Sequence, residues 1–243
     1  AASDVYKRQG DSSGKARLCY SAELEKVGMA AALSAVRYDM RAATVGNYAL
    51  FAGGFRSTSF GGSSLISVSS SVDAYNTSLT KSTVTELSSD RCGHAAASVG
   101  GYALFASGAS RHSVLGYTNH VDSVDAYDAS LTRSAAPLMA YGRVELSAAV
   151  VGNYALFAGG TDNMGLNYEC FASLEAYNAS LTRTNVTDLS VGRGGAMGAS
   201  VGNYALFAGG TSSNNKYTTV DAYNASLTRT TATSLSSTAN NDA

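Results

Sequence analysis

Tryptophan is absent from this sequence, and proline occurs once, at Pro137. Charged residues are scarce at 14%, well below the quarter usual for a globular domain. The 17 basic and 18 acidic residues leave a net charge of −1, so no whole-molecule field favours nucleic acid or an anionic membrane. No apolar run reaches the roughly 18 residues of a membrane-spanning helix. Cys19, Cys92 and Cys170 are an odd number without a pattern, which argues against a disulfide framework and a metal cluster and for packed free thiols. A G-x-S-x-G elbow, a P-loop, a dinucleotide fingerprint and an Asp-box are all missing, and the Gly-rich "VGRGGAMGAS" (191–200) enters a strand rather than a helix. No secretory signal is visible, and the opening "DVYKRQ" resembles translated adapter sequence, so residues 1–14 read as a non-native leader on a fragment. A cell-surface, secreted or virion-associated place is favoured over the cytoplasm.

What is present is repetition. "VGNYALFAGG" stands at 45–54, 151–160 and 201–210, and as "VGGYALFASG" at 99–108. "VDAYNTSLT" (72–80) recurs as "VDAYDASLT" (124–132), "LEAYNASLT" (174–182) and "VDAYNASLT" (220–228). A third landmark is a Leu-or-Met stretch ending in Arg37, Arg91, Arg143 or Arg193, each followed by a small-residue run such as "GHAAASVG". A period near 50 residues is the mark of a propeller or solenoid.

Each landmark reads as a strand. After Asn, "NYALFA" carries only apolar or aromatic side chains, as expected of a strand covered on both faces, with Tyr, Leu and the second Ala on one side and the first Ala and Phe on the other. A Gly-first pair between "AAASV" and "YALFA" suits a two-residue type II′ hairpin. The pattern predicts an all-β protein: a β-propeller of four-stranded antiparallel blades in an incomplete ring. The decapeptide strand is expected first and nearest the axis, with the Arg-led small-residue strand last. That order divides residues 15–243 into a partial blade (15–44), blades at 45–98, 99–150 and 151–200, and a second partial blade (201–243).

Gly-Gly closing an aromatic-bearing strand, then a Tyr-bearing strand, a turn and an Arg-led strand, resembles the Kelch repeat over nearly the whole chain after residue 15. The Trp usual after the second strand is replaced by Leu79, Leu131, Leu181 and Leu227. The resemblance implies a propeller serving chiefly as a binding platform, with enzymatic members such as the galactose-oxidase type and the sialic-acid epimerases in the minority.

Few residues offer candidate chemistry. His94, His112 and His120 match no zinc spacing and read as solvent-facing, with a weaker metal reading for His112 and His120 beside Asp122 and Asp125. Asp73, Asp125, Glu175 and Asp221 recur once per blade, which suits structural pairing rather than the two facing carboxylates of glycoside hydrolysis. Arg37, Arg91, Arg143 and Arg193 either brace the turn and the neighbouring blade's acid or form a guanidinium ring for an acidic ligand. Asn76, Asn178, Asn185 and Asn224 match a glycosylation pattern, but three of them are simply the repeated turn.

After the Gly-Gly the copies diverge completely, over 17, 15, 13 and 9 residues. These loops hold Phe55, Arg56, Phe60, Arg111, His112, Tyr117, Tyr168, Asn215, Lys216 and Tyr217, residue types that anchor interfaces, although unconstrained drift explains divergence equally well. The reading is a non-enzymatic module without cofactor or metal, binding a protein or glycan partner through this loop face. The alternatives are a propeller hydrolase or epimerase with its catalytic residues elsewhere, and a purely structural surface or virion repeat.

Overall fold

The computed structural model describes residues 17–20, 26–60, 63–113, 116–162, 169–213 and 215–236. Every regular element among them is a strand, and no helix is long and apolar enough to cross a membrane. β1 (Arg17–Tyr20) pairs with β2 (Lys26–Ala30). The first four-stranded antiparallel sheet contains β3 (Arg41–Val45), β4 (Tyr48–Ala52), β7 (Val72–Asn76) and β8 (Lys81–Thr83), and β5 (Phe55–Phe60) pairs with β6 (Ser63–Val68) as a separate hairpin. The second sheet contains β9 (Ala95–Val99), β10 (Tyr102–Ala106), β13 (Val124–Tyr127) and β14 (Arg133–Ala136), with the hairpin β11 (Ala109–Ser113) and β12 (Gly116–His120). In the third are β15 (Ser147–Val151), β16 (Tyr154–Ala158), β17 (Leu174–Asn178) and β18 (Arg183–Val186). The fourth contains β19 (Met197–Val201), β20 (Tyr204–Ala208), β23 (Val220–Asn224) and β24 (Arg229–Ala232), with the short hairpin β21 (Thr211–Ser212) and β22 (Asn215–Lys216).

β3, β9, β15 and β19 lie against one another in series, so the small-residue strand of each sheet is the innermost. Alanine and serine allow this approach: Ser98 Oγ donates to the Thr44 carbonyl and Ser200 Oγ to that of Val150, at 2.6 and 2.7 Å. The sheets stack face to face in chain order. Leu104, Ala106, Val124 and Ala126 of the second sheet meet Ala155, Phe157 and Tyr177 of the third. The same contact joins the first sheet to the second, through Leu50 against Phe105, and the third to the fourth, through Leu156 against Phe207. The two faces expected of "YALFA" are therefore both used, each against a different neighbour. Among the described residues the four sheets show no closed ring.

The grouping of strands departs from the sequence expectation. Each sheet begins with the small-residue strand rather than ending with it, so the divisions at 45–98, 99–150 and 151–200 cut every sheet one strand too late. The unit ending the chain is a complete sheet from Met197 to Ala232, not a partial one. A two-residue turn forces this outcome, since strands so joined must be neighbours in one sheet. Gly46, Gly152 and Gly202 occupy φ of 53°, 54° and 51°, the left-handed start of the expected type II′ turn. Gly100 and Gly101 are both positive, at 54° and 88°, the sign pattern of type I′ instead. The leader call on residues 1–14 lies outside the described residues.

Candidate functional site

Strand alternation puts the hairpins after the Gly-Gly bends and the Arg-bearing connections between sheets at one end of the stack, as expected. The tight turns of Gly46 and Asn76 fall at the other end. Isolated bridges tie the two parts of that first end together: Tyr38 to Phe55, Cys92 to Ala109, Val144 to Thr161 and Gly194 to Thr211.

The repeated arginines do not form an open guanidinium ring. Arg37, Arg91, Arg143 and Arg193 are buried, and each pairs with the acid of the sheet it enters. The distances are 2.6 Å from Arg37 to Asp73, 2.8 Å from Arg91 to Asp125, 3.3 Å from Arg143 to Glu175 and 2.8 Å from Arg193 to Asp221. Lys81, Arg133, Arg183 or Arg229 adds a second cation to each acid from the outermost strand. Four recurring tyrosines brace the same connections: the hydroxyls of Tyr75, Tyr127, Tyr177 and Tyr223 donate to the carbonyls of Ala31, Thr85, Pro137 and Thr187. Burial, reinforced by the neighbouring carboxylate, raises the pKa of all four. The copied charges are therefore internal staples at the connections between successive sheets, which is the structural alternative for both the arginines and the acids.

Residues just after each arginine, "YDMR", "CGHA", "VELS" and "GGAM", differ in every copy. They surround the mouth of the innermost strands, where Arg41, Glu145, Leu146, Ser147, Ala196 and Met197 line a cleft of about 330 Å³. Hydrogen bonds circle this mouth from sheet to sheet. The Gly93 amide donates to Asp39 Oδ2 at 3.0 Å, Glu145 to the Gly93 carbonyl at 2.9 Å and Gly195 to the Glu145 carbonyl at 2.9 Å. All four of these positions are left-handed, with φ of 56° at Asp39, 61° at Gly93, 56° at Glu145 and 64° at Gly195. For Glu145 that conformation costs about 1–2 kcal/mol, the kind of strain that clusters at ligand sites. Arg41, paired with Asp39 at 2.7 Å, and Glu145 both line the cleft, which therefore presents both signs of charge. These residues lie outside the divergent loops expected from the sequence, although they too differ from copy to copy immediately beside a recurring arginine.

The expected loop residues fare unevenly. Phe55 is not an exposed anchor: it is buried with Cys92, Ala109 and Val144, and its ring lies 5.1 Å from that of Tyr38. Arg56 is half-buried and donates to Ser71 Oγ at 2.8 Å. Arg111, Asn215 and Lys216 are exposed, and Tyr217 is half-buried with its hydroxyl 2.7 Å from Ser212 Oγ. Phe60, His112 and Tyr117 sit in β5, β11 and β12, with side chains outside those described, and Tyr168 lies outside the described residues altogether. His94 is fully buried rather than solvent-facing, and His120 is half-buried. Asp125 is engaged by Arg91 and Arg133, and among the described residues no three His, Cys, Asp or Glu side chains converge.

No protein-family model and no curated protein sequence matches the chain. Among solved structures it is similar to that of YjhT, a propeller-fold protein, with a TM-score of 0.70 at 15% identity, over 93% of this chain and 80% of that one. At that identity the likeness shows a β-propeller-like all-β fold and nothing about activity.

Proposed function

We propose that the chain is a non-catalytic, Kelch-like binding module that holds a protein or glycan partner across the end of the stack bearing the cleft and the hairpins. One observation carries this reading. Residues that differ between sheets collect at that end, around the cleft and in β5–β6, β11–β12 and β21–β22, while the recurring charges are sequestered beneath it. A scaffold held constant under unlike connections is how a platform presents distinct contacts. The four recurring carboxylates support a non-catalytic role, because each is buried between two cations rather than facing a bond to be cleaved.

The test is a combined glycan and peptide array with the intact chain, followed by affinity measurements on variants. Glu145→Gly removes the cleft carboxylate while relieving a left-handed backbone that its sisters Gly93 and Gly195 occupy without strain. It is expected to keep or raise the unfolding midpoint while weakening binding at least about tenfold, some 1.4 kcal/mol. Tyr217→Ala is expected to weaken binding as well, and Asp128→Ala, at the opposite end, to leave it unchanged. Unaltered affinity in both Glu145→Gly and Tyr217→Ala, or its loss in Asp128→Ala, would overturn the assignment.

A further inference from the structure

One connection between sheets differs from its counterparts in a way that folding does not require. Residues 137–143, "PLMAYGR", lead from the second sheet to the third. The amides of Ser34, Ser88, Ala140 and Ser190 each reach the acid of the sheet they enter, which aligns the four connections. Tyr141 then stands where the others have Ala35, Ser89 and Val191, and Leu138 where they have Ala32, Glu86 and Asp188. Both are open to solvent, with exposures of 59% and 55%. The other connections follow the same path without an aromatic ring at the first position or a leucine at the second.

The Tyr141 ring is held in place. It stacks on Phe171, with centroids 5.8 Å apart and planes 13° from parallel. The guanidinium carbon of Arg143 lies 5.9 Å from the centre of the same Phe171 ring. Gly142 runs so close to the second sheet's hairpin that a Cβ would stand 2.9 Å from the His120 carbonyl carbon. The chain thus crosses the seam between the second and third sheets here, with the Tyr141 ring open above it. A ring already ordered loses little further freedom when a ligand covers it.

Carboxylates collect beside this ring. Thr161 pairs with Cys170, so strand alternation puts Asp162 and Glu169 on the side of Phe171. Asp122 adjoins the same connection, its carbonyl accepting the Met139 amide at 2.9 Å. No cation among the described residues pairs with Asp122, Asp162 or Glu169. Arg183, beside Leu138, is already engaged by Glu175 at 3.1 Å and by the Leu138 carbonyl at 2.8 Å. Burial lowers the pKa of His120, with Asp162 opposing, so that imidazole supplies no positive charge at neutral pH.

We infer that this seam docks a basic peptide segment of a partner protein, which lays an arginine side chain over Tyr141 between Glu169 and Asp162. The inference rests on the binding-module reading and narrows its partner from a protein or glycan to a protein. The face of a tyrosine ring attracts a guanidinium group, and neighbouring carboxylates fix its register. Leu138 meets an apolar residue of the same segment. A neutral glycan would cover the carboxylates without a counter-charge, and an acidic one would be repelled.

Selection of a displayed random dodecapeptide library on the intact chain tests this, followed by calorimetric titration of the selected peptides. Arginine is expected to be enriched among them, and their affinity to fall as salt is raised. Tyr141→Ser introduces the residue found at Ser89, so an unchanged circular dichroism spectrum is expected. Its affinity for the peptides is expected to drop at least about tenfold. Glu169→Lys, at an exposed site, is expected to weaken binding at least as much and decides the matter should Tyr141→Ser misfold. No selected binder, no enrichment of arginine, or unaltered affinity in either folded variant would overturn the inference. If these variants bind normally while Glu145→Gly and Tyr217→Ala bind weakly, the seam fails and the cleft assignment stands. The opposite pattern keeps the seam and ends the cleft assignment.

Discussion

At the scale of single residues, the repeated arginines show how a buried charge is made tolerable. Arg91 Nη2 reaches Asp125 Oδ2 and Ser123 Oγ, while its Nη1 donates to the Ser123 carbonyl. Burial lowers the Arg91 pKa, and the Asp125 carboxylate opposes that shift. Removing Arg91 leaves the buried Asp125 carboxylate with Arg133 as its one remaining cation and empties a buried side-chain site, so Arg91→Met is expected to cost about 3 kcal/mol. Adding Asp125→Leu is expected to restore part of it, because the under-paired buried carboxylate is gone while Arg133, 28% exposed, can turn to solvent; urea unfolding of both chains checks this, and equal midpoints for the single and double variants would refute it. His94 offers a second test, through pH. Its pKa is held well below the ordinary value by burial first, then by Arg91, Arg41 and Arg37, with the Ala52 backbone opposing. The unfolded chain therefore takes up the proton first as pH falls. Stability from this residue is complete above about pH 6.5 and declines below it, by up to about 1.4 kcal/mol per pH unit. His94→Leu, which places there the side chain of its sister Leu146, is expected to flatten that decline in unfolding midpoints measured from pH 7 downward. An identical slope in both chains would dispose of the assignment.

Among the elements, the outer hairpins show what periodicity revealed and what it left out. In each, an Asn or Asp accepts two backbone amides: Asp128 Oδ1 takes those of Ser130 and Thr132 at 2.9 and 3.0 Å. The cage holds Leu79, Leu131, Leu181 and Leu227 at φ of 59°, 63°, 59° and 59°, which a leucine adopts only under compulsion. Asp128→Ala is expected to lose about 1 kcal/mol, and Asp128→Asn to be neutral because Asn76, Asn178 and Asn224 already do the same work. Chemical denaturation of the two variants decides it. The turn residue, the two faces of "YALFA" and the acid–arginine match were legible because each depends on neighbours a few residues away or on a partner copied with it. Grouping strands into sheets was not, since a perfect repeat can be cut at any phase and only the two-residue turn fixes the cut. Phe55 and His94 were misjudged for another reason. Both stand where the copies diverge, beside connections whose path, and hence whose burial, is decided by bridges such as Tyr38 to Phe55 rather than by composition.

For the whole molecule, stability is a chain of nearest-neighbour contacts, and the ends must be its weakest links. Among the described residues the second and third sheets are packed on both faces, and the fourth on one. β10, β16 and β20 share the sequence "YALFA", so their intrinsic amide exchange rates are alike and any difference reports on the surroundings. In β10 and β16 four of five residues are buried, whereas in β20 only Ala205 and Phe207 are, and Tyr204 is exposed. Local opening follows the free energy of the contacts that must be broken, and regions with fewer buried apolar contacts open first. The β20 amides are therefore expected to exchange faster than those of β10 and β16 in residue-resolved hydrogen exchange. Uniform protection across the three strands would mean that the sheets open together, and that the unpacked face of the fourth carries no energetic penalty.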